Sequence, residues 1–223
     1  MSSEKLSCVE INPPTAPIAS VIWMHGLGAD GHDFASIVPE LHLAKELPIR
    51  FVFPHAPMIP VTLNNGYIMR AWYDIFGLSL GSREDDVGIR RSEKAVCSLI
   101  EHEKSLGIPA NRIILAGFSQ GGAIALHTGL RYSERLAGIL ALSTYLPLNG
   151  TLVEEATKEN NDIPIFLAHG TQDNVLPYGF AQLAEQALKQ NGHPVEFHTY
   201  QMPHSVCMEE IADIAAWFRK ILK

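Results

Sequence analysis

A serine flanked by glycines is the feature of the sequence that most clearly indicates chemistry. Residues 117–121 read G-F-S-Q-G, which matches the pattern G-x-S-x-G around Ser119. A predicted strand (residues 112–116) precedes this pattern and a predicted helix (residues 120–131) follows it, as the pattern requires. The glycines remove side chains that would collide with the strand and the helix in so tight a turn. Ser119 is therefore predicted to be a nucleophile, raised above the sheet at the positive end of a helix dipole.

A serine hydroxyl needs a general base within hydrogen-bond reach, and one histidine is best placed to supply it. His204 comes just after a predicted strand (residues 195–201), in the loop before the last predicted helix. Loops at the carboxyl edge of a parallel sheet are where α/β proteins present functional groups. We therefore prefer His204 as the base, with His169 as the second choice and His193 as a distant third.

Asp173 is the predicted acid of the site. It ends the turn (residues 169–173) after a predicted strand (residues 164–168), and it lies between the serine and the histidine in chain order. Its carboxylate would fix the imidazole tautomer and stabilise the imidazolium. The alternative is an ordinary turn residue, since aspartate is common in turns. Asp162 precedes the same strand and is expected at the opposite edge of the sheet.

Two backbone amides are predicted to bind the negative charge that develops on the substrate's carbonyl oxygen. One is the N–H of Gln120, and the other is the N–H of Leu27 in the segment H-G-L-G-A-D-G, residues 25–31. Such a donor can contribute about 3–4 kcal/mol to transition-state stabilisation. The alternative is a phosphate-binding glycine loop. It is disfavoured because the segment matches neither G-x-G-x-x-G nor a P-loop with its Lys-Ser/Thr.

Short apolar runs alternate with helix-period segments along the chain. The predicted strands are residues 19–24, 50–54, 112–116, 136–143, 164–168 and 195–201, and the predicted helices are residues 33–46, 89–106, 120–131, 178–190 and 207–222. Several strands are apolar at consecutive positions, as strands buried on both faces should be. The alternation predicts an α/β fold whose mainly parallel central sheet has helices on both faces. Residues 1–223 are expected to form one domain without a large cap domain.

Residues 55–87 follow neither period and are predicted to form a long irregular loop. They combine prolines, glycines and asparagines with methionine and aromatic side chains. Long loops of this kind are often binding surfaces, but aromatic side chains of a loop also pack on a core. From the residues alone we give the two interpretations equal weight.

Composition and charge exclude several classes of partner. The chain has 223 residues, a formal net charge of −7 and no run of Lys or Arg, which argues against nucleic acid and against anionic membrane surfaces. The three cysteines form no CxxC pair, so free thiols in a reducing compartment are expected. The N-terminus lacks a signal-peptide pattern and no apolar run is long enough for a membrane span, which predicts a cytoplasmic protein. Neither H-E-x-x-H nor a zinc-type Cys/His spacing occurs, so no metal is expected.

Together, these motifs resemble those of the phospholipase/carboxylesterase family of α/β-hydrolases, which includes carboxylesterases and acyl-protein thioesterases. The resemblance covers nearly the whole chain in the expected order. It rests on the segments HGLG (25–28), PHAP (54–57), AWYD (71–74), GFSQGG (117–122), LSTYLP (142–147), the turn from His169-Gly170 to Asp173, and HS (204–205).

The resemblance implies a serine hydrolase that uses neither a metal nor an organic cofactor. Its catalytic residues would be Ser119, Asp173 and His204, and its oxyanion donors Leu27 and Gln120. Members of the family hydrolyse short- to medium-chain carboxyl esters, and some act on lysophospholipids or remove fatty acyl groups from protein cysteines. Homodimers also occur in the family.

The resemblance also implies where the acyl chain binds. Trp72 and its neighbours Met69 and Phe76, together with Tyr145, would line an acyl groove. The chain departs from many relatives at Tyr145, where Trp is expected, and at residues 171–172 of the acid turn, where relatives often carry more acidic residues. These departures bear on the choice of substrate rather than on the chemical steps.

Two other functions are compatible with parts of the sequence. Cys207 lies close to His204 in sequence and is a candidate thiol nucleophile. However, it is not in a glycine-flanked turn like that of Ser119, and most lone cysteines are inert. The same fold can also serve as a binding module without catalysis. Serine-directed fluorophosphonate labelling and turnover of an activated ester separate these alternatives from a serine hydrolase.

The predicted base gives the reaction a defined pH dependence. A free imidazole has a pKa of about 6.5, and only its neutral form accepts the proton of a serine. We expect kcat/KM for an activated ester to rise with pH between about pH 5 and 8 in steady-state assays. A flat profile from pH 5 to 9 would contradict a histidine base.

Overall fold

The computed structural model of the protein describes residues 6–43, 46–79 and 81–223. Within these residues the strands are β1 (Cys8–Ile11), β2 (Ala19–Met24), β3 (Ile49–Pro54), β4 (Met58–Val61), β5 (Tyr67–Arg70), β6 (Ile113–Phe118), β7 (Gly138–Leu142), β8 (Ile165–Gly170) and β9 (Val195–Tyr200). The α-helices are α1 (Ile37–Glu40), α2 (Asp86–Ser105), α3 (Gln120–Arg131), α4 (Leu152–Glu155), α5 (Gly179–Gln190) and α6 (Met208–Ile221). In this part of the chain, none of the helices has both the length and the apolar character that crossing a membrane requires.

Seven strands form a central sheet in the order β1-β3-β2-β6-β7-β8-β9. All neighbours are parallel except β1, which runs antiparallel to β3 at one edge. Strands β2, β3, β7 and β8 are buried along their whole length. Continuous burial explains their uninterrupted apolar sequences, because both faces of a parallel sheet are covered. The predicted mainly parallel sheet is confirmed.

Helices cover both faces of this sheet, also as predicted. Along β6, Ile113 and Leu115 belong to one apolar cluster and Ile114 and Ala116 to another, because successive side chains of a strand point to opposite faces. The first cluster includes apolar residues of α2, α3 and α5, and the second includes those of α6.

The strand order reverses between β2 and β6. The chain leaves β2 towards β3 on one side and returns to β6 on the other, and Met24 at the end of β2 pairs with Gly117 of β6. Such a reversal opens a crevice at the carboxyl edge of the sheet, where ligands bind in α/β proteins. The loop after β2 and the turn after β6 therefore lie side by side.

Three predictions about individual elements were wrong. The edge strand β1 was missed, and residues 55–87 contain the antiparallel hairpin β4–β5 instead of an irregular loop throughout. Asn65 and Gly66 both have positive φ in the turn of this hairpin, so the Asn-Gly pair was a usable signal. Of the helix predicted over residues 33–46, the described residues form the short α1, and His42 has a positive φ just after it. Residues 44, 45 and 80, which fall in these predictions, and residues 1–5 lie outside the described residues.

At Gly121, α3 lies directly against the end of β2. A Cβ added at this position would lie 2.3 Å from the carbonyl oxygen of Met24. We expect Gly121→Ala to lower the free energy of unfolding by about 1–3 kcal/mol, because the backbone must move to remove the overlap. Denaturant unfolding of both proteins measures the difference.

Gly150→Ala is the matched control. Nothing lies within 4 Å of a Cβ added there. Its stability should stay within about 0.5 kcal/mol of wild type. Equal stabilities for the two variants would show that the close approach of α3 to β2 is not a constraint on the fold.

Candidate active site

Ser119 has a strained backbone and is held by its neighbours. Its φ of 55° and ψ of −120° lie outside the ordinary helical and strand regions. Its N–H donates to the carbonyl oxygen of Leu142 at 2.8 Å, and its carbonyl oxygen accepts from Thr144 Oγ1 at 2.7 Å. A non-glycine residue keeps such angles only when its surroundings fix them, and this strain is common at functional sites. Helix α3 begins at the next residue, so its positive end lies beside the serine.

His204 and Asp173 form a close pair. The distance from His204 Nδ1 to Asp173 Oδ2 is 2.6 Å. The side chain of Asp173 has no exposed surface, whereas that of His204 is 15% exposed. The other oxygen of Asp173 accepts the N–H groups of Val175 (2.9 Å) and Leu176 (2.8 Å). The loop after β8 thus fixes the carboxylate, and the carboxylate fixes the imidazole ring.

The other two candidate bases have different surroundings. His169 is wholly buried, and its Nε2 lies 2.8 Å from the carbonyl oxygen of Leu176 and 3.4 Å from Asp173 Oδ2. Burial lowers the pKa of His169, so it is a neutral ring beneath the carboxylate. His193 is also buried, and its Nδ1 lies 3.0 Å from the carbonyl oxygen of Asn161. It precedes β9, at the opposite edge of the sheet from Ser119.

Ser119 and His204 line one cavity of about 230 Å³, together with Leu27 and Gln120. A Cβ added at Gly26 would lie only 3.4 Å from Cβ of Ser119, so the loop after β2 runs directly beside the serine. In the part of the chain that the structure describes, neither the N–H of Leu27 nor that of Gln120 donates to a protein acceptor. Two residues whose backbone N–H groups have no acceptor among the described residues therefore line a cavity that is also lined by a serine and a histidine.

A second cavity of about 310 Å³ adjoins the first. Both are lined by Tyr73, Ile75, Leu78, Tyr145 and Leu176. The hydroxyl oxygens of Tyr73 and Tyr145 are 2.8 Å apart. Burial raises the pKa of Tyr145 to about 12, so its hydroxyl stays protonated at neutral pH. The two cavities adjoin each other; the one at Ser119 is lined mainly by apolar side chains, and the second also by charged and polar side chains such as Arg83 and Glu84.

The groove residues predicted from the resemblance have different positions. Tyr145 lines both cavities, and Phe76 lines the second. The prediction for Trp72 is wrong, because its side chain is completely buried and lines neither cavity. Met69, on the hairpin strand β5, lines a separate depression beside Gly28 and is not part of the space that leads to Ser119.

Sequence reasoning missed Tyr73 and Leu176, which line both cavities. Tyr73 follows Trp72 directly, and both are buried, so only the fold shows that Tyr73 lines the cavities and Trp72 does not. Leu176 follows the acid turn and has no distinctive pattern around it. Cys207 is half-buried at the start of α6 and does not line the serine cavity. Among the described residues, no three His, Cys, Asp or Glu side chains are grouped so that they could hold a metal ion.

Known proteins match this chain along most of its length. A family model described as Phospholipase/Carboxylesterase matches residues 6–222. Acyl-protein thioesterase 1 of Neurospora crassa is 44% identical over 202 residues, which cover 86% of this chain and 82% of the relative. Acyl-protein thioesterase 1 of Cryptococcus neoformans is 39% identical over 236 residues, covering 98% of each chain. The crystal structure of Zea mays acyl-protein thioesterase 2 matches with a TM-score of 0.87 at 30% identity, covering 97% of this chain and 99% of the other.

Replacing Asp173 by asparagine tests the acid of the site. The amide oxygen of Asn can still accept the two backbone N–H groups, which leaves its NH₂ facing His204 Nδ1. The imidazole would then carry its proton on Nε2 and could not accept one from a serine. We expect Asp173→Asn to lower kcat by about 10³–10⁴-fold with little change in thermal stability.

Asp162→Asn is the control for this change. Its carboxylate is 84% exposed and pairs with Arg135 on the surface. The kcat of this variant should stay within about twofold of wild type, since exposed ion pairs contribute little. A fall in kcat of less than about tenfold in Asp173→Asn would show that Asp173 is not the acid that orients His204.

Proposed function

Since the chain belongs to the phospholipase/carboxylesterase family and is an ester or thioester hydrolase, we propose that Ser119 is its nucleophile, His204 its general base and Asp173 the group that orients the base. One observation carries this proposal. A strained serine and a histidine bonded to a buried carboxylate line the same cavity, together with two residues whose backbone N–H groups have no acceptor among the described residues.

In the first half of the reaction, Ser119 Oγ attacks the acyl carbonyl carbon while His204 Nε2 accepts its proton. The N–H groups of Leu27 and Gln120 bind the oxyanion of the tetrahedral intermediate. The bond from the carbonyl carbon to the leaving oxygen or sulfur then breaks, and the imidazolium donates its proton to the leaving group. The result is an ester between the acyl group and Ser119.

In the second half, water attacks the acyl-enzyme. His204 accepts a proton from this water and then returns it to Ser119 Oγ as the carbon–oxygen bond of the acyl-enzyme breaks. The products of the two halves are an alcohol or thiol and a carboxylic acid. Asp173 keeps its negative charge throughout and stabilises the imidazolium in both halves.

The proposed substrates are short- to medium-chain acyl esters, whose acyl group would fill the apolar cavity at Ser119. A second candidate, removal of fatty acyl groups from protein cysteines, is favoured by two observations. The adjoining cavity adds space for a longer chain and is lined by apolar side chains such as Leu146 and Leu183 as well as by polar ones. The relatives at 39–44% identity are named acyl-protein thioesterase 1. Both candidates use the same chemical steps and differ in the acyl chain and the leaving group.

Steady-state hydrolysis of p-nitrophenyl esters from acetyl to palmitoyl, with Ser119→Ala beside wild type, tests the proposed function. We expect wild type to turn over and Ser119→Ala to lose at least about 10³-fold in kcat. The same acyl chains, presented as thioesters on a cysteine peptide, compare the two leaving groups. Turnover by Ser119→Ala at the wild-type rate would refute the nucleophile.

Ala187→Phe separates the two cavities in the same assay. Ala187 is half-buried on α5 and lines the second cavity but not the first. A phenyl ring there should lower kcat/KM for octanoyl and longer chains by at least about tenfold and leave acetyl hydrolysis unchanged. An equal loss for all chain lengths would mean that long acyl chains do not bind in the second cavity.

A further inference from the structure

Trp72 connects the two segments that carry the proposed oxyanion donors. Its indole Nε1 donates to the carbonyl oxygen of His25 at 2.9 Å, in the loop after β2. Its backbone N–H donates to Gln120 Oε1 at 2.8 Å, and Gln120 Nε2 donates to the carbonyl oxygen of Tyr73 at 2.7 Å. The segment around Trp72 is thus bonded to the loop of Leu27 on one side and to the first residue of α3 on the other.

The ring of His25 has a defined tautomer. The backbone N–H of Ala56 points at its Nε2 from 3.0 Å, so Nε2 must be the acceptor and the proton must be on Nδ1. Nδ1 lies 2.7 Å from the carbonyl oxygen of Gly26 and therefore donates to it. Burial lowers the pKa of His25, in agreement with a neutral ring.

The bond from His25 to Gly26 also helps to set where the next N–H points, together with a longer bond of 3.3 Å from the N–H of Ala29 to the same carbonyl oxygen. The carbonyl of Gly26 and the N–H of Leu27 belong to the same peptide group. A peptide group is planar and trans, so its C=O and N–H point in opposite directions. Fixing the oxygen of Gly26 therefore fixes the direction of the Leu27 N–H.

We propose that the side chains of Trp72, His25 and Gln120 form a brace that holds the amides of Leu27 and Gln120 at the spacing an oxyanion needs. These three side chains are positioning groups, because the proposed contact with the reacting oxygen is made by the backbone amides. The inference rests on the proposed function, since an oxyanion forms only if Ser119 attacks a carbonyl. It also gives Trp72 a role in place of the groove position that the sequence predicted.

The buried polar bonds of Trp72 distinguish this role from ordinary core packing. Trp72 is also tied to α2, since Ser92 Oγ donates to its carbonyl oxygen. Trp23, on β2, is an equally buried tryptophan in the opposite apolar cluster, but its Nε1 has no hydrogen-bond partner among the described residues. A Trp→Phe change therefore removes a hydrogen bond at position 72 and none at position 23, while both changes remove part of a buried ring.

The experiment compares Trp72→Phe with Trp23→Phe in hydrolysis of p-nitrophenyl esters. Rates are expressed per active site titrated with a fluorophosphonate, so a smaller fraction of folded protein does not lower the kcat that is calculated. We expect Trp72→Phe to lower kcat by about 10–100-fold, less than removal of a whole oxyanion donor. KM should stay within about twofold, and Trp23→Phe should keep kcat within about threefold.

Binding of an alkyl trifluoromethyl ketone supplies a readout that a structural role would not move. This ketone forms a hemiketal oxyanion with an active-site serine, so its inhibition constant reports on the oxyanion site. In Trp72→Phe the inhibition constant should rise by about the same factor as kcat/KM falls. Unchanged kcat and inhibition constant would overturn the brace.

A pair of His25 variants tests the same proposal without the tryptophan. His25→Gln retains a group that can donate and accept a hydrogen bond, whereas His25→Ala does not. The kcat of His25→Gln should therefore be at least about tenfold higher than that of His25→Ala. Equal rates for the two variants would contradict the brace. If Trp72→Phe does not fold, the comparison of the two His25 variants tests the proposal in its place. Wild-type rates in Ser119→Ala would instead refute the proposed function itself.

Discussion

The close approach of the β6–α3 turn to the end of β2 is the constraint on which the other features of the site depend. Side chains are absent at Gly117 and Gly121, where an added Cβ would lie 2.2–2.3 Å from backbone atoms. The first helical turn of α3 can pack against Met24 only because these two positions of the β6–α3 connection have no side chains. That contact sets Ser119 beside the loop of Leu27, where its backbone has a positive φ of 55°. The strain at one residue is therefore maintained by packing that involves two strands and a helix.

The histidine and aspartate come to the serine through the geometry of the parallel sheet. Strands β6, β8 and β9 all end at the same edge, so the loops that follow them meet there although they are far apart in sequence. Within this arrangement the aspartate loop is the rigid part, because Asp173 is buried and accepts two backbone N–H groups. His204 is partly exposed and takes its orientation from that carboxylate.

The segment between β3 and α2 serves two purposes in consecutive residues. Trp72 is buried and hydrogen-bonded to both sides of the serine crevice, whereas Tyr73 lines the apolar space and contacts Tyr145. The segment therefore contains both a buried, hydrogen-bonded residue and a residue that lines the cavities, so neither of the two alternative interpretations describes it alone. Its hairpin places Met69 at a separate depression, which is not one of the two cavities lined by Tyr145.

The sequence by itself determined the features that depend on local order along the chain. The parallel strands, most of the helices and the order of Ser119, Asp173 and His204 follow from apolar runs, turn residues and glycine spacing, which act over a few neighbouring residues. Only the tertiary structure decided which side chains line the cavities at Ser119 and which form hydrogen bonds to the loops beside them. Neighbours such as Trp72 and Tyr73 have similar apolar character, and their exposure depends on contacts with His25, Gln120 and Tyr145, which lie tens of residues away in the sequence. Hydrophobicity and spacing do not encode such contacts, because they arise only when the strand order brings distant loops to one edge of the sheet.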